Sequence, residues 1–365
     1  MERLSTLTRT LHNQNAGLVF AGWVRTVGAA AGDIGKLVPL ARQLEHLPDV
    51  EHIAKAAVAA GTTTDTAWAS SLVTYQDAVD DFLEFVRPRT IVDRLVDARR
   101  IDLHTRTMRT SGGGTAAWAG EAEPTPLTQL SLETITFNGK KVNAPVIMTE
   151  ESFRFATTTG LRLIRNELAN AIAAFTNAQF ISPTVAAVAG VNPASVTHGL
   201  TALHATGSTV AAIANDLKNM FDALRAGGGH PSRSVLVMGE RTALYLAALR
   251  TAQDVAYFRN LGVGGGEIWG VPVLITEHVS TDYGSPSASY IALIDQSGIA
   301  IGDGESVTFD VSRDASVQMV TDPSTGATTQ VSLWQTNLIA VRAARYIDWE
   351  RVDDAKVVLL DGVTY

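Results

Sequence analysis

Leu103-His-Thr-Arg-Thr-Met-Arg-Thr110, then Gly112-Gly-Gly114, then Leu130-Ser-Leu132 and Ile135-Thr-Phe137 decide how this chain is read. Threonine and apolar residues alternate with polar ones in both runs, which favours strands, and the glycines supply a tip. Between the runs, Glu121-Ala-Glu-Pro-Thr-Pro126 neither continues a helix nor fits a central strand, because proline lacks an amide donor. The sequence therefore predicts a long two-stranded flap. Two strands alone are marginal in water, so the flap needs a neighbour, and Trp118 is the expected anchor.

The flap leads into a helical pattern. Phe153, Thr157, Leu161, Ile164, Leu168, Ile172, Phe175 and Gln179 recur at steps of three and four, one face of a helix. Thr149 is the expected cap, Glu150 and Glu151 fall in the first turn where the macrodipole favours anions, and Pro183 marks the end. At 1.5 Å per residue, roughly 28 residues span about 40 Å, a post long enough to cross a domain.

Outside this stretch the chain reads as helical segments and then mixed elements. Residues 1–60 predict helices over 18–30, 34–47 and 48–60, and Gly61-Thr-Thr-Thr-Asp-Thr66 interrupts them. A short amphipathic helix over 75–86 stops at Pro88. Beyond Pro183 the expected elements are a helix over 209–224, a buried strand over 234–238, a helix over 242–249, and strands over 271–276 and 290–295. Strands over 307–311, 316–321, 331–344 and 356–360 close the chain, with Asp322-Pro-Ser-Thr-Gly-Ala-Thr-Thr329 as the exposed turn of a hairpin. Helices and strands intermixed in this way predict an α+β or α/β fold, and the resemblance described below implies α+β.

Composition narrows the function. Of 365 residues, 46% are hydrophobic and 18% charged, with a net charge of −8, so no global attraction to nucleic acid or an anionic membrane is expected. The absence of cysteine excludes disulfides, thiolate metal sites and cysteine nucleophiles. No run is apolar enough to span a membrane and no secretory leader is read at Met1, so a soluble intracellular protein is expected. Walker, zincin and nucleophile-elbow motifs are missing. Leu261-Gly-Val-Gly-Gly-Gly266 superficially resembles a phosphate loop but lacks the strand–loop–helix context, and a flexible loop is expected there. The dispersed histidines and adjacent acid pairs form no metal or acid–base constellation, so no cofactor and no catalytic residue are assigned.

Ala117-Trp-Ala-Gly-Glu-Ala-Glu-Pro124, Val146-Ile-Met-Thr-Glu-Glu151, Val237-Met-Gly-Glu-Arg-Thr242, Ile268-Trp-Gly-Val-Pro-Val-Leu274 and Leu333-Trp-Gln-Thr-Asn-Leu-Ile-Ala-Val-Arg-Ala-Ala-Arg345 add a resemblance. In order and spacing they resemble the major capsid protein of tailed bacteriophages, the HK-97 fold family. The resemblance implies a scaffold-like helical segment (1–60), an N-arm (61–102), an extended E-loop (103–148), a P-domain spine helix (149–182), an A-domain (183–306), and a P-domain sheet with its loop (307–365). It also implies a non-enzymatic shell of hexamers and pentamers enclosing double-stranded DNA without sequence-specific binding, with no membrane partner. A portal, and a maturation protease or a decoration protein, are the expected partners. The expected locations are the virion and, during assembly, the host cytoplasm. Arg106, Arg109, Trp118, Glu121, Lys140, Lys141, Asp322 and Thr329 are the expected inter-subunit contacts. Some members join subunits by a lysine–asparagine isopeptide bond assisted by a glutamate. Here Lys140 or Lys141 and Asn337 are the nearest matches, Thr336 lies closer to the asparagine position, and Ala343 stands where the glutamate would be. A non-covalent shell is therefore expected. The alternatives are an encapsulin-type compartment and, remotely, a small-molecule hydrolase.

Overall fold

The computed structural model describes residues 22–23, 25–26, 36–43, 82–112, 118, 131–151, 158–251, 253–283, 288–322 and 327–365. Its helices are α1 (Leu37–Arg42), α2 (Ile91–Arg94), α3 (Thr158–Ile181), α4 (Val210–Ala226) and α5 (Glu240–Ala248). The first strands are β1 (Arg99–Ile101), β2 (Arg106–Gly112), β3 (Ser131–Thr136), β4 (Lys140–Thr149), β5 (Leu203–His204), β6 (Ser234–Gly239), β7 (Leu261–Gly262) and β8 (Gly265–Ile268). The remainder are β9 (Val271–Thr276), β10 (Ser289–Asp295), β11 (Ile299–Ser312), β12 (Ser316–Asp322), β13 (Ala327–Ser332), β14 (Leu338–Arg351) and β15 (Val357–Val363). Two compact units emerge, one from residues up to Thr90, Val142–Ala173 and Glu305–Tyr346, the other from Ile91–Lys141, Ala174–Gly304 and Ile347–Tyr365. The expected helices over 18–30 and 48–60 fall largely outside the described residues, as do the flap tip, Glu121 and the 323–326 turn.

The second unit is built on a seven-stranded sheet of order β5-β15-β10-β6-β9-β8-β7. Every residue of β6 and of β10 is buried, which is why both read as near-continuous apolar runs. β6 and β9 pair in parallel, Leu236 opposite Val273, while β10 runs antiparallel to both β6 and β15. Helix α4 begins at Thr209, whose hydroxyl accepts the Ala212 N–H at 3.3 Å. Its Ile213, Leu217, Met220 and Leu224 follow steps of four, three and four and join Leu236, Met238, Ile291 and Leu293 in one core. Burying each such side chain is worth about 1.5–3 kcal/mol.

The glycine run corrects an expectation. Leu261-Gly262 and Gly265–Ile268 form a tight antiparallel hairpin where a flexible loop was expected. Gly265 and Gly266 have φ of 116° and 138°, and a Cβ on Gly266 would stand 2.0 Å from the Asn260 carbonyl oxygen. These glycines serve backbone geometry.

The spine-like helix differs in detail from its sequence pattern. Thr149 ends β4, residues 150 and 151 are helical, and α3 is described from Thr158. Leu168 and Ile172 are buried as expected, but Phe175 is 52% exposed, and the buried side moves on through Thr176, Asn177 and Phe180. Asn177 takes its buried position because its side chain finds a partner: Oδ1 accepts the Ile91 N–H at 2.7 Å, within the second unit. Arg165 is likewise buried in the first unit. Its guanidinium carbon and that of Arg89 lie 3.8 and 4.0 Å from the Phe85 ring centroid, and Arg89 also donates to the Asn170 Oδ1 at 2.7 Å.

Two strand boundaries also change. The expected strand over 331–344 is interrupted by a turn at 333–337 that separates β13 from β14, with Asn337 in the left-handed region at φ 57°. β11 begins at Ile299, earlier than expected, because Gly302 and Gly304 obscure its pattern. A Cβ at Gly302 would meet Leu103 Cδ2 at 2.9 Å and Phe137 Cδ1 at 3.1 Å, so glycine lets those side chains close over the strand. A four-stranded sheet has the order β1-β11-β14-β4, while β12–β13 and β2–β3 each form a two-stranded ribbon.

Candidate functional site

The flap is the ribbon of β2 and β3, antiparallel from Arg106 opposite Thr136 to Thr110 opposite Leu132, with a register shift before Gly112. Its base is closed by backbone: the His104 N–H donates to the Phe137 carbonyl at 2.7 Å and the Phe137 N–H to the Thr105 carbonyl at 3.1 Å. His104 takes φ 62°, turning the chain into the ribbon.

A charged latch holds the flap root. Lys140 Nζ donates to both oxygens of Asp348, at 2.9 and 2.8 Å, and the Asp348 carboxylate also accepts the Asn138 N–H at 3.3 Å and the Trp349 N–H at 3.0 Å. The Asp348 side chain is 3% exposed and that of Lys140 20%. Arg109 Nε donates to Glu133 at 2.8 Å across the ribbon, and its Nη1 reaches the Arg351 carbonyl at 3.1 Å. Partial burial of the carboxylate, then the neighbouring Asp348 charge, pushes Glu350 above the usual range, while Lys140, Arg109 and Arg351 oppose the shift. Beside the latch, Trp349 Nε1 donates to the Ala194 carbonyl at 2.8 Å, and the indole stands edge-on to Phe180 at 5.4 Å.

Beyond the root, large apolar side chains are exposed on β2 and at Trp118, which lies outside both strands. Trp118 is fully exposed and Met108 is 65% exposed, whereas Thr107 is buried. Of the expected contact residues, Arg106 and Lys141 are exposed, and Arg109 and Lys140 are engaged within the chain. Glu121 lies outside the described residues. Asp322 ends β12, and Thr329 is exposed on β13 opposite Met319. Asp348 was missed by sequence reading, although a lone carboxylate inside an apolar strand run is itself a signal of a buried partner.

Among the described residues, no cluster of three or more histidine, aspartate or glutamate side chains could hold a metal ion. Among them, too, no helix is long and apolar enough to cross a membrane.

Comparison with known proteins matches the phage capsid family model to residues 71–362. The chain belongs to the phage capsid family. The capsid polyprotein of Pseudomonas phage PAJU2 is 34% identical to it over 322 residues, covering 86% of this chain and 48% of that protein. This family member therefore spans about half the length of that relative. A solved structure from Mycobacterium phage Adephagia superposes with a TM-score of 0.55 at 15% identity, covering 75% of this chain and 89% of that one. One from Gordonia phage Cozz gives 0.54 at 16% identity, covering 74% and 85%. The capsid of an empty GTA particle gives 0.52 at 15% identity, covering 76% and 90%. The fold of this phage capsid-family protein is thus the α+β, HK-97-like one.

Proposed function

We propose that this protein is the major shell subunit of a phage capsid, assembling through its flap into hexamers and pentamers that enclose double-stranded DNA without covalent joints. The observation that carries the proposal is the β2–β3 ribbon. It has two strands, is latched at its root by Lys140 and Asp348, and exposes Met108, while Trp118, in sequence between the strands, is fully exposed. A two-stranded ribbon with large exposed apolar side chains needs a packing partner, and a root fixed by buried charge pairs aims it. A sister subunit supplies that partner, with Trp118 as the buried anchor and Arg106 and Lys141 at a polar rim.

The net charge of −8 suits a container that confines DNA without adhering to it. In this proposal the subunits act in the virion after assembling in the host cytoplasm, with a portal, and a maturation protease or a decoration protein, as further partners. Electron microscopy of the purified protein tests it: closed particles, tubes or discs are expected, and Trp118→Ala lowers their yield while leaving subunit folding unchanged. A wild-type protein that remains a small homogeneous oligomer at every concentration and salt refutes the shell reading.

A further inference from the structure

We propose that Asn138 is a self-modifying position: the backbone nitrogen of Gly139 converts its side-chain amide to a carboxylate, and the product loosens the root of the flap. The inference rests on the latch geometry and needs no assembled shell.

Asn138-Gly139 lies between β3 and β4, outside both strands. It is the one place in the sequence where glycine follows an asparagine. Asn138 is exposed, and among the described residues none holds its side chain, so the amide carbon is free to swing toward the backbone. Gly139 has no Cβ to shield its nitrogen and sits at φ 63°, where a side chain would also strike Leu103 Cδ1 at 2.8 Å. Asn143 is the contrast within the same segment. It is equally exposed, but it lies inside β4, which is paired with β14, and the residue after it is the buried Ala144.

The reaction needs only water. A solvent base takes the Gly139 amide proton, the nitrogen attacks Asn138 Cγ, the new N–Cγ bond closes a five-membered imide, and the Cγ–Nδ2 bond breaks to release ammonia. Water then opens the imide. Attack at Cγ returns the original backbone with an aspartate side chain. Attack at the former backbone carbonyl gives isoaspartate, in which the chain runs through Cβ and Cγ and is one carbon longer.

Either product falls between two fixed points. On one side, Phe137 is clamped by the His104 N–H to its carbonyl at 2.7 Å and by its own N–H to the Thr105 carbonyl at 3.1 Å. On the other, Lys140 is held on Asp348, and the Asn138 N–H donates to that same carboxylate at 3.3 Å. Aspartate adds a negative charge next to the amide that Asp348 accepts. Isoaspartate adds length, so Phe137 and Lys140 no longer both keep their partners. A change of one residue thereby acts on the whole ribbon, because β3 and β4 join through this turn alone.

The test ages full-length, unassembled wild type and Asn138→Gln, with fresh Asn138→Asp for comparison. Peptide mass spectrometry with electron-transfer fragmentation is expected to show a gain of about 1 Da at Asn138 in aged wild type, as both aspartate and isoaspartate, roughly tenfold ahead of Asn143. Hydrogen exchange at the His104 and Phe137 amides is expected to quicken in aged wild type and to stay constant in aged Asn138→Gln, whose longer side chain forms the six-membered imide slowly. Fresh Asn138→Asp, which gains the charge but not the extra carbon, is expected to exchange more slowly than aged wild type. An unmodified Asn138, or one that reacts no faster than Asn143, overturns the inference. So does modification that leaves exchange at His104 and Phe137 unchanged, or an equal quickening in aged Asn138→Gln. None of these results bears on whether the protein forms shells, which electron microscopy decides separately.

Discussion

Replacing Asp348 by Asn tests the flap root most directly. The substitution keeps the shape but removes the charge that both Lys140 bonds depend on, and it weakens the acceptor for the Asn138 and Trp349 amides. It leaves an ammonium group that is only 20% exposed without its partner. Breaking one side of a buried pair costs roughly 3–5 kcal/mol, and the residual exposure of Lys140 lowers this to about 2–3 kcal/mol. For a domain of 150–250 residues that is a fall in Tm of about 5–10 °C. Thermal and urea denaturation of the unassembled full-length chain measure it. Hydrogen exchange at the His104 and Phe137 amides reports whether the ribbon base loosens too. The double variant Lys140→Met/Asp348→Asn is expected to recover most of the loss, since it removes the unpaired ammonium and keeps a side-chain oxygen for the Asn138 and Trp349 amides. A Tm for Asp348→Asn within 1 °C of wild type, or a double variant that loses the sum of its singles, refutes the latch.

Two further outcomes follow from the same region. Glu350 titrates above an ordinary carboxylate, so the folded state binds its proton more tightly than the unfolded chain. The stability this contributes is complete below the ordinary value of 4.5 and is lost as pH rises through the raised one. Glu350→Gln is therefore expected to be more stable than wild type near neutral pH and equal to it below about pH 4, and a constant difference across pH-resolved denaturation contradicts the assignment. Trp349→Phe leaves the Ala194 carbonyl without its donor and shrinks a buried ring, costing about 2–3 kcal/mol, with urea midpoints as the measure and an unchanged midpoint as the refutation.

Much of the fold is legible in residue order because local chemistry writes it. Pro183 and Thr209 announce helix limits, the apolar run of Ser234–Gly239 announces a buried strand, and the threonine-rich runs around Arg106 and Ile135 announce a ribbon. Periodicity is weaker where polar residues are buried with partners. Arg165 and Asn177 on α3 break the expected stripe because an aromatic ring and a distant amide compensate them, and no window of sequence contains both members of such pairs.

The candidate interface divides in the same way. Trp118 is legible as an anchor because a tryptophan between glycine- and proline-rich runs has no local partner to pack on. Lys140 reads as an exposed cation until the fold brings Asp348 to it from more than two hundred residues away. Trp334 reads as part of a long strand until the turn at 333–337 lifts it out of the apolar run. The chain by itself therefore determined the elements, the ribbon and the absence of thiol chemistry, all of which depend on neighbours within a few residues. Which charges are satisfied within the chain, and which aromatic side chains remain exposed, was decided by tertiary structure alone, because pairing and exposure depend on distances that sequence separation does not encode.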